Sequence, residues 1–570
     1  MKVWVLLLLL VVSVGSSLVV VNSLDGRDVV SGVYYANIVG DSVVFVPPDY
    51  LENVVYGKIG WNGDVVLIQS ADSPIIVGMK NSLENKGNTV TLISSSDPYE
   101  TNLMLADRSR AESFVLVDPV YGYNTISVLP YAKETGMHLL FVDNELSESV
   151  VGFLKGKNPK EVLVYGYVDE EVKLALGEEG IAYTEINNGD KFLDNMEIAD
   201  KYFELMPEKK QVILSDGNAM EDTIIAGDDP VILISPIISA DVYNYMEEKV
   251  GERQISVALI VDSEYAQTAY DLKTSINTEL GEELLAVLVK FGQSVPSVGS
   301  GMLPVDLFPL RGPVIGLEIT KAEYNTATGM LEVTYGNTGN TPEYVQSQID
   351  VYVDGGKVGA IGDEEPFQLD REETLGRGYE LGVEEGEIII EITALYGSSK
   401  RSMETGIQVT LNAGRVAYVD QSLLNVSGFT QDEETGDVFI TYDNVGGEGV
   451  YFRPDATVEM GGKSTKIKSD TLYQLGVGEA EMVKFPGILG SSSGDVEVIA
   501  GANYGSREAF MEKRIDASHV FAVEAPIEEP AGFDTNLLFI LVILLLVVVI
   551  LYLVLGRKGK KKEGKAARKM

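Results

Sequence analysis

From about Ser42 to Phe291 short runs of Val, Ile and Leu recur, each bounded by a polar, helix-compatible segment. The runs are Val43–Val46, Val65–Ile68, Val90–Ile93, Phe114–Val117, Leu139–Val142, Val162–Tyr165, Val212–Leu214, Val231–Ile234 and Val257–Val261. Runs that are continuously apolar rather than alternating are expected of parallel strands covered on both faces, so this stretch reads as α/β. The pattern also repeats. Thr101-Asn102-Leu103-Met104-Leu105-Ala106-Asp107 returns as Asp194-Asn195-Met196-Glu197-Ile198-Ala199-Asp200, 93 positions later. Val43–Val46 returns as Leu139–Val142 and again as Val231–Ile234, and the strand at Val65 has counterparts at Glu161 and near Ser256. A period of roughly 95 residues is too long for a solenoid and suits a flavodoxin-like unit. Three such units are predicted over 25–291, the first incomplete at its start.

From Val314 the period changes to two. Met330–Tyr335 and Ile349–Val353 alternate in polarity and are separated by Asn, Gly and Asp turns. Tyr335-Gly336-Asn337-Thr338-Gly339 matches Tyr442-Asp443-Asn444-Val445-Gly446, Gly355-Gly356 matches Gly461-Gly462, and Tyr396-Gly397-Ser398 matches Tyr504-Gly505-Ser506, at offsets of 106 to 108. Two tandem β-sandwiches follow, 314–412 and 413–523, of immunoglobulin-like or adhesion type. An irregular connector, 292–313, precedes them, and an acidic, Pro-containing stalk, 524–536, comes after.

The two ends of the chain predict its location. Leu537 to Leu555 is uninterruptedly apolar, about 28 Å as a helix, and so reads as a transmembrane helix. The tail 556–570 carries Arg557, Lys558, Lys560, Lys561, Lys562, Lys565, Arg568 and Lys569 against Glu563 alone, which makes it cytoplasmic by the positive-inside rule. At the other end Lys2, the apolar run Val3–Val12 and the small residues Gly15–Ser17 read as a signal peptide over 1–24, removed between Gly15 and Leu24. The remainder is expected outside the cell on a single anchor.

Composition narrows the function. A formal charge of −42 excludes nucleic acid as a partner. The absence of cysteine excludes disulfides, thiolate metal sites, cysteine nucleophiles and lipid attachment through an N-terminal cysteine. The two histidines, His138 and His519, lie far apart and read as structural. No Gly-x-Ser-x-Gly elbow, His-Glu-x-x-His or Walker A loop is present, so no enzyme is expected and no catalytic, cofactor-binding or metal residue is assigned. Calcium is possible at Asp432–Asp437 or Asp363-Glu364-Glu365, although neither has the spacing of the twelve-residue calcium loop and the first reads as a hairpin turn. Asn425-Val426-Ser427 is the chain's sequon and makes Asn425 a candidate for N-glycosylation.

Asp97-Pro98-Tyr99-Glu100-Thr101 with the helix through Ala106, Leu129-Pro130-Tyr131-Ala132, and Asp229-Pro230-Val231-Ile232-Leu233-Ile234-Ser235, with the threefold repetition, resemble the cell-wall-binding type 2 repeat family and archaeal surface-layer-type proteins. The chain departs from that family at Tyr165-Gly166-Tyr167 and Val261-Asp262-Ser263, where the family carries a Gly-Gly pair, and its Asp-Ala-Leu-Ser signature appears only loosely, at Tyr123–Val128. The resemblance implies the fold and a surface role. Together these features predict a membrane-anchored cell-surface structural protein of a surface layer (S-layer), working by self-association or by contact with other surface-layer proteins. In that reading the β-sandwiches form a stalk beneath a distal α/β head. The alternative is a surface receptor binding a solute or polysaccharide through that head.

Overall fold

The computed structural model describes residues 17–523 apart from 49–51, 61, 236–237, 262–264, 291–293, 298–300, 305, 384, 402, 404, 433–434, 461–462, 470, 487–488 and 490–493. The expected transmembrane helix 537–555, tail 556–570 and stalk 524–536, like residues 1–16, lie outside the described residues. Among the described residues no helix is long and apolar enough to cross a membrane.

The first unit runs β1 (Leu18–Asn22), α1 (Gly26–Val39), β2 (Ser42–Phe45), α2 (Glu52–Ile59), β3 (Asp64–Ser70), α3 (Met79–Asn85), β4 (Thr89–Ser95) and α4 (Pro98–Ser109). The second runs β5 (Ser113–Val117), α5 (Gly122–Thr135), β6 (Met137–Phe141), α6 (Ser147–Lys157), β7 (Glu161–Tyr165), α7 (Glu170–Glu178), β8 (Thr184–Ile186) and α8 (Lys191–Leu205). The third has β9 (Gln211–Ser215), β10 (Ala219–Glu221), β11 (Val231–Leu233), α9 (Ala240–Gly251), β12 (Val257–Ile260), α10 (Ala266–Leu280) and β13 (Ala286–Val289). The sheet orders are β2-β1-β3-β4, β6-β5-β7-β8 and β11-β9-β12-β13, all parallel, so the same four-stranded unit occurs three times.

All nine apolar runs are strands, and the first unit is complete. Its inner strand is Leu18–Asn22, within the stretch expected to be a signal peptide. Val19, Val20 and Val21 are fully buried, and the strand pairs on both sides. Removing residues through Leu24 would take an inner strand out of the first sheet, whose first strand among the described residues starts at Leu18.

The repeated asparagine explains why the repeat exists. Asn102 on α4 is 1% exposed; its Nδ2 donates to the Leu139 carbonyl at 3.0 Å, and its Oδ1 accepts from the Phe141 amide at 3.1 Å. Asn195 on α8 does the same to Val231 O at 2.7 Å and Leu233 N at 2.8 Å. Each amide thus caps the outer edge of the next unit's edge strand, which would otherwise present unpaired backbone groups. Aspartates start these helices at matching places, Asp97 accepting from the Tyr99 amide and Asp190 from those of Phe192 and Leu193.

After β13 the chain forms a hairpin, β14 (Ser294–Ser297) and β15 (Gly301–Pro304), then β16 (Leu307–Pro309), which pairs with β10. The connector is thus more regular than expected, and it sends the buried Phe308 against Phe45 of the first unit.

The first β domain contains β17 (Leu317–Asn325), β18 (Met330–Asn337), β19 (Glu343–Val353), β20 (Gly356–Gly362), β21 (Phe367–Leu369), β22 (Thr374–Glu380), β23 (Ile388–Gly397), β24 (Thr405–Asn412) and β25 (Gly414–Val416). One sheet has the order β22-β18-β17-β25, the other β20-β19-β23-β24, and they share one core around Leu331, Val345 and Ile390. Because Gly414–Val416 pairs in parallel with Glu323–Asn325, this domain ends at Val416 rather than at 412. The second domain contains β26 (Leu424–Gln431), β27 (Val438–Asn444), β28 (Val450–Met460), β29 (Lys463–Lys468), β30 (Tyr473–Leu475), β31 (Ala480–Phe485), β32 (Gly494–Gly505) and β33 (Lys513–Val523), in sheets β26-β27-β31 and β29-β28-β32-β33. The repeated Asn-x-Gly has one task in both. Asn337 donates to Thr341 O and Leu369 O and accepts from Gly339 N, while Asn444 donates to Glu448 O and Leu475 O and accepts from Gly446 N.

The expected stalk beneath a distal head is not the arrangement seen. The β domains lie against the α/β units. The Ser399 hydroxyl and the Arg401 amide donate to Asp190, Arg401 pairs with Asp241 at 2.5 Å, and Leu174 of the second unit packs on the core of the second β domain. Arg453 pairs with Glu373, and Arg507 with Glu332 at 2.8 Å, fastening one β domain to the other.

Candidate functional site

In a parallel sheet of this order the first connection leaves β5 on one side and the chain returns to β7 on the other. The loops after β5 and β7 therefore diverge and leave a crevice at the carboxyl ends of the strands. In the second unit both β domains roof this crevice, enclosing about 780 Å³. Its floor carries Tyr121, Tyr123 and Tyr167, with ring centroids 5.7 and 6.0 Å apart in edge-to-face contact. Its roof includes Tyr344 and Arg371 of the first β domain and Lys466 of the second.

Asp118, the residue after β5, accepts at its backbone carbonyl from the Tyr121 amide at 3.1 Å. It is 7% exposed, and its Oδ1 accepts from the Val120 amide at 2.8 Å. Burial, reinforced by the charges of Asp169 and Asp143, pushes its carboxyl up to about 7. Asp194, at the cavity wall, is raised to about 6 by burial, against the hydrogen bonds it accepts from Asn188. Gly166 ends β7 with φ of +72°, and a Cβ there would meet Asn124 Nδ2 at 2.2 Å, so glycine is required. The departure at Tyr165-Gly166-Tyr167 thus marks the crevice. Tyrosine rings, amides and carboxylates of this kind can hold a hydroxyl-rich or charged solute by ring contact and hydrogen bonds.

The residues singled out in the sequence lie elsewhere. Asn425 is exposed on β26. Asp432 and Asp437 sit between the paired strands β26 and β27, with Gly436 N donating to Asp432 O at 2.9 Å, and Asp437 pairs with Lys484 at 2.8 Å. Asp363 is buried and bonded to Ser347 N, Tyr379 and Arg377. Among the described residues no group of three or more acids or histidines gathers as a metal site. His138 is a core residue whose Nδ1 faces Leu139 O, held down to about 4 by burial, and His519 stacks on Phe429. Sequence reasoning missed the crevice. Its walls come from three domains, and only the Asp118-Pro119 pair and Gly166, each just past a strand, signalled it.

No protein-family model and no curated protein matches the chain. Among solved structures it is similar to Cwp8 from Clostridium difficile, at 15% identity over 47% of this chain and 48% of that one, with a TM-score of 0.38. It is similar to Cwp6 from the same organism at 16% identity over 43% and 40%, with a TM-score of 0.34. The Escherichia coli chaperone DraB aligns at 14% identity over 36% and 95%, with a TM-score of 0.14. The chain spans less than half the length of the two clostridial proteins, and likenesses this distant carry no argument about function.

Proposed function

We propose that this chain is a membrane-anchored cell-surface structural protein, an S-layer component or an associate of one, whose exterior part assembles laterally. The observation that carries the reading is the interlocking of its domains. Asn102 and Asn195 stitch the α/β units in series, Asp190 and Asp241 hold the first β domain, and Arg453 and Arg507 join the β domains. A structural element must transmit force through such joints. The apolar stretch 537–555 with its cationic tail supports the anchor and its orientation. The strand order of the β domains supports the immunoglobulin-like assignment. No catalysis is assigned. Protease shaving of intact cells should release fragments of 18–523 and spare the tail, and quantitative envelope proteomics should place the protein among the most abundant components. An internal location, or scarcity in the envelope, overturns the reading.

The crevice of about 780 Å³ favours a second reading, a surface receptor for a polar solute or glycan. Scarcity in the envelope together with glycan-array binding abolished by Tyr167→Ala would select it.

A further inference from the structure

The edges of the sheets are treated unequally. The outer edges of β6 and β11 are sealed by Asn102 and Asn195. Edge strands β20, β22, β29, β31 and β33 carry lysine, arginine or glutamate, and the three-residue β8 carries Glu185, in ion pair with Lys173. Such charges are the usual protection against edge-to-edge pairing. Edge β4 has none. It is seven residues long, its paired neighbour among the described residues is β3, and Gly87 to Ser96 contains no ionisable group in a chain of net charge −42. Its Leu92 is 40% exposed.

The four-residue edges β2 and β13 lack charge too, the second with Leu288 55% exposed, but each offers little more than half the length of β4. Two other long edges also lack charge. β24 exposes only Gly406, Gln408, Thr410 and Asn412, and so offers no apolar contact. β26 turns toward β33, with Phe429 stacked on His519, and carries the sequon at Asn425.

We propose that β4 is the surface through which two copies of this chain pair, edge to edge and antiparallel, about a two-fold axis at Leu92. The proposal rests on the lateral-assembly reading and names its contact. An isologous interface sets each strand against itself in reverse, so Leu92 meets Leu92 of the second copy, Ile93 meets Thr91, and Val90 meets Ser94. The two four-stranded sheets become one of eight. The strand is flanked by Lys86 at its start and Asp97 after its end, and the reversal sets the cationic end of each copy beside the acidic end of the other. Along β4 itself no like charges are set against each other, whereas charged edges of a body this acidic would add local repulsion.

The test uses the full chain in detergent, which has no native cysteine to interfere. Residues facing each other across antiparallel strands have Cα atoms about 4.5–5.5 Å apart, within disulfide reach. Leu92→Cys under mild oxidation should give a covalent dimer, while Val77→Cys, at a site 85% exposed, should not. Leu92→Lys sets two like charges face to face and should weaken association about tenfold or more in sedimentation, with an unchanged circular dichroism spectrum. Wild-type assembly that persists in Leu92→Lys, or fails to crosslink through Leu92→Cys, overturns the β4 contact and leaves lateral assembly standing on another surface. Equal crosslinking at position 77 also overturns it. A wild type that is monomeric at every concentration overturns both readings.

Discussion

Asn102→Ala tests whether the joints between the α/β units are built by single amides. The substitution removes the donor to Leu139 O, the acceptor for Phe141 N and the contact with the Ser31 hydroxyl at 3.0 Å. Two backbone groups of a fully buried strand then have no partner and no water. Each such group costs about 1–3 kcal/mol, so the joint should lose ~4 kcal/mol. For a body of this size ~1 kcal/mol moves a melting temperature by about 2 °C, giving a fall of ~8 °C. Calorimetry is the suitable assay, because several domains will not unfold as one two-state transition. The transition of the α/β body should move while those of the β domains stay in place. Asn195→Ala should behave alike, its bonds being 2.7 and 2.8 Å. As a control, Lys155→Ala breaks an exposed pair with Glu179 and should cost less than ~1 kcal/mol. A fall below ~2 °C for Asn102→Ala, or one confined to the β domains, refutes the reasoning.

Three further expectations follow from named residues. Gly166→Ala forces a side chain into left-handed backbone and against Asn124, and should cost about 2 kcal/mol in thermal or urea unfolding; a neutral effect would mean the crevice floor is loose. Asp118 is raised from 3.8 to about 7, so between those pH values the unfolded chain has released a proton that the folded one keeps. Stability therefore falls as pH rises through this window, by at most ~1.4 kcal/mol per unit. Asp118→Asn keeps an acceptor for Val120 N and should match the wild type near pH 4 but exceed it above pH 7, as denaturant midpoints across pH would reveal. N-terminal sequencing of the protein extracted from membranes should find a start no later than Leu18, and a start after Asn22 would be incompatible with the first sheet.

The sequence by itself determined the parallel strands, because strands covered on both faces must be apolar throughout. It also determined the repeats, because the same joint needs the same asparagine, Asn102 or Asn195, and the same turn needs Asn337 or Asn444 with its glycine. It left β1 ambiguous. Leu18–Asn22 continues an apolar N-terminal stretch, and hydrophobicity alone does not separate a strand core from an export signal; pairing with β2 and β3 does. The short strand β8, Thr184–Ile186, carried too few apolar residues to stand out. The tertiary structure alone decided that Gly414–Val416 returns to the first β domain, that Asp190 both caps a helix and receives Ser399, and that the β domains lie beside the α/β units. It also decided the crevice. Tyr167, Tyr344 and Lys466 are separated by up to about three hundred positions, and the proximity that closes the cavity comes from packing between domains, which local sequence patterns do not encode.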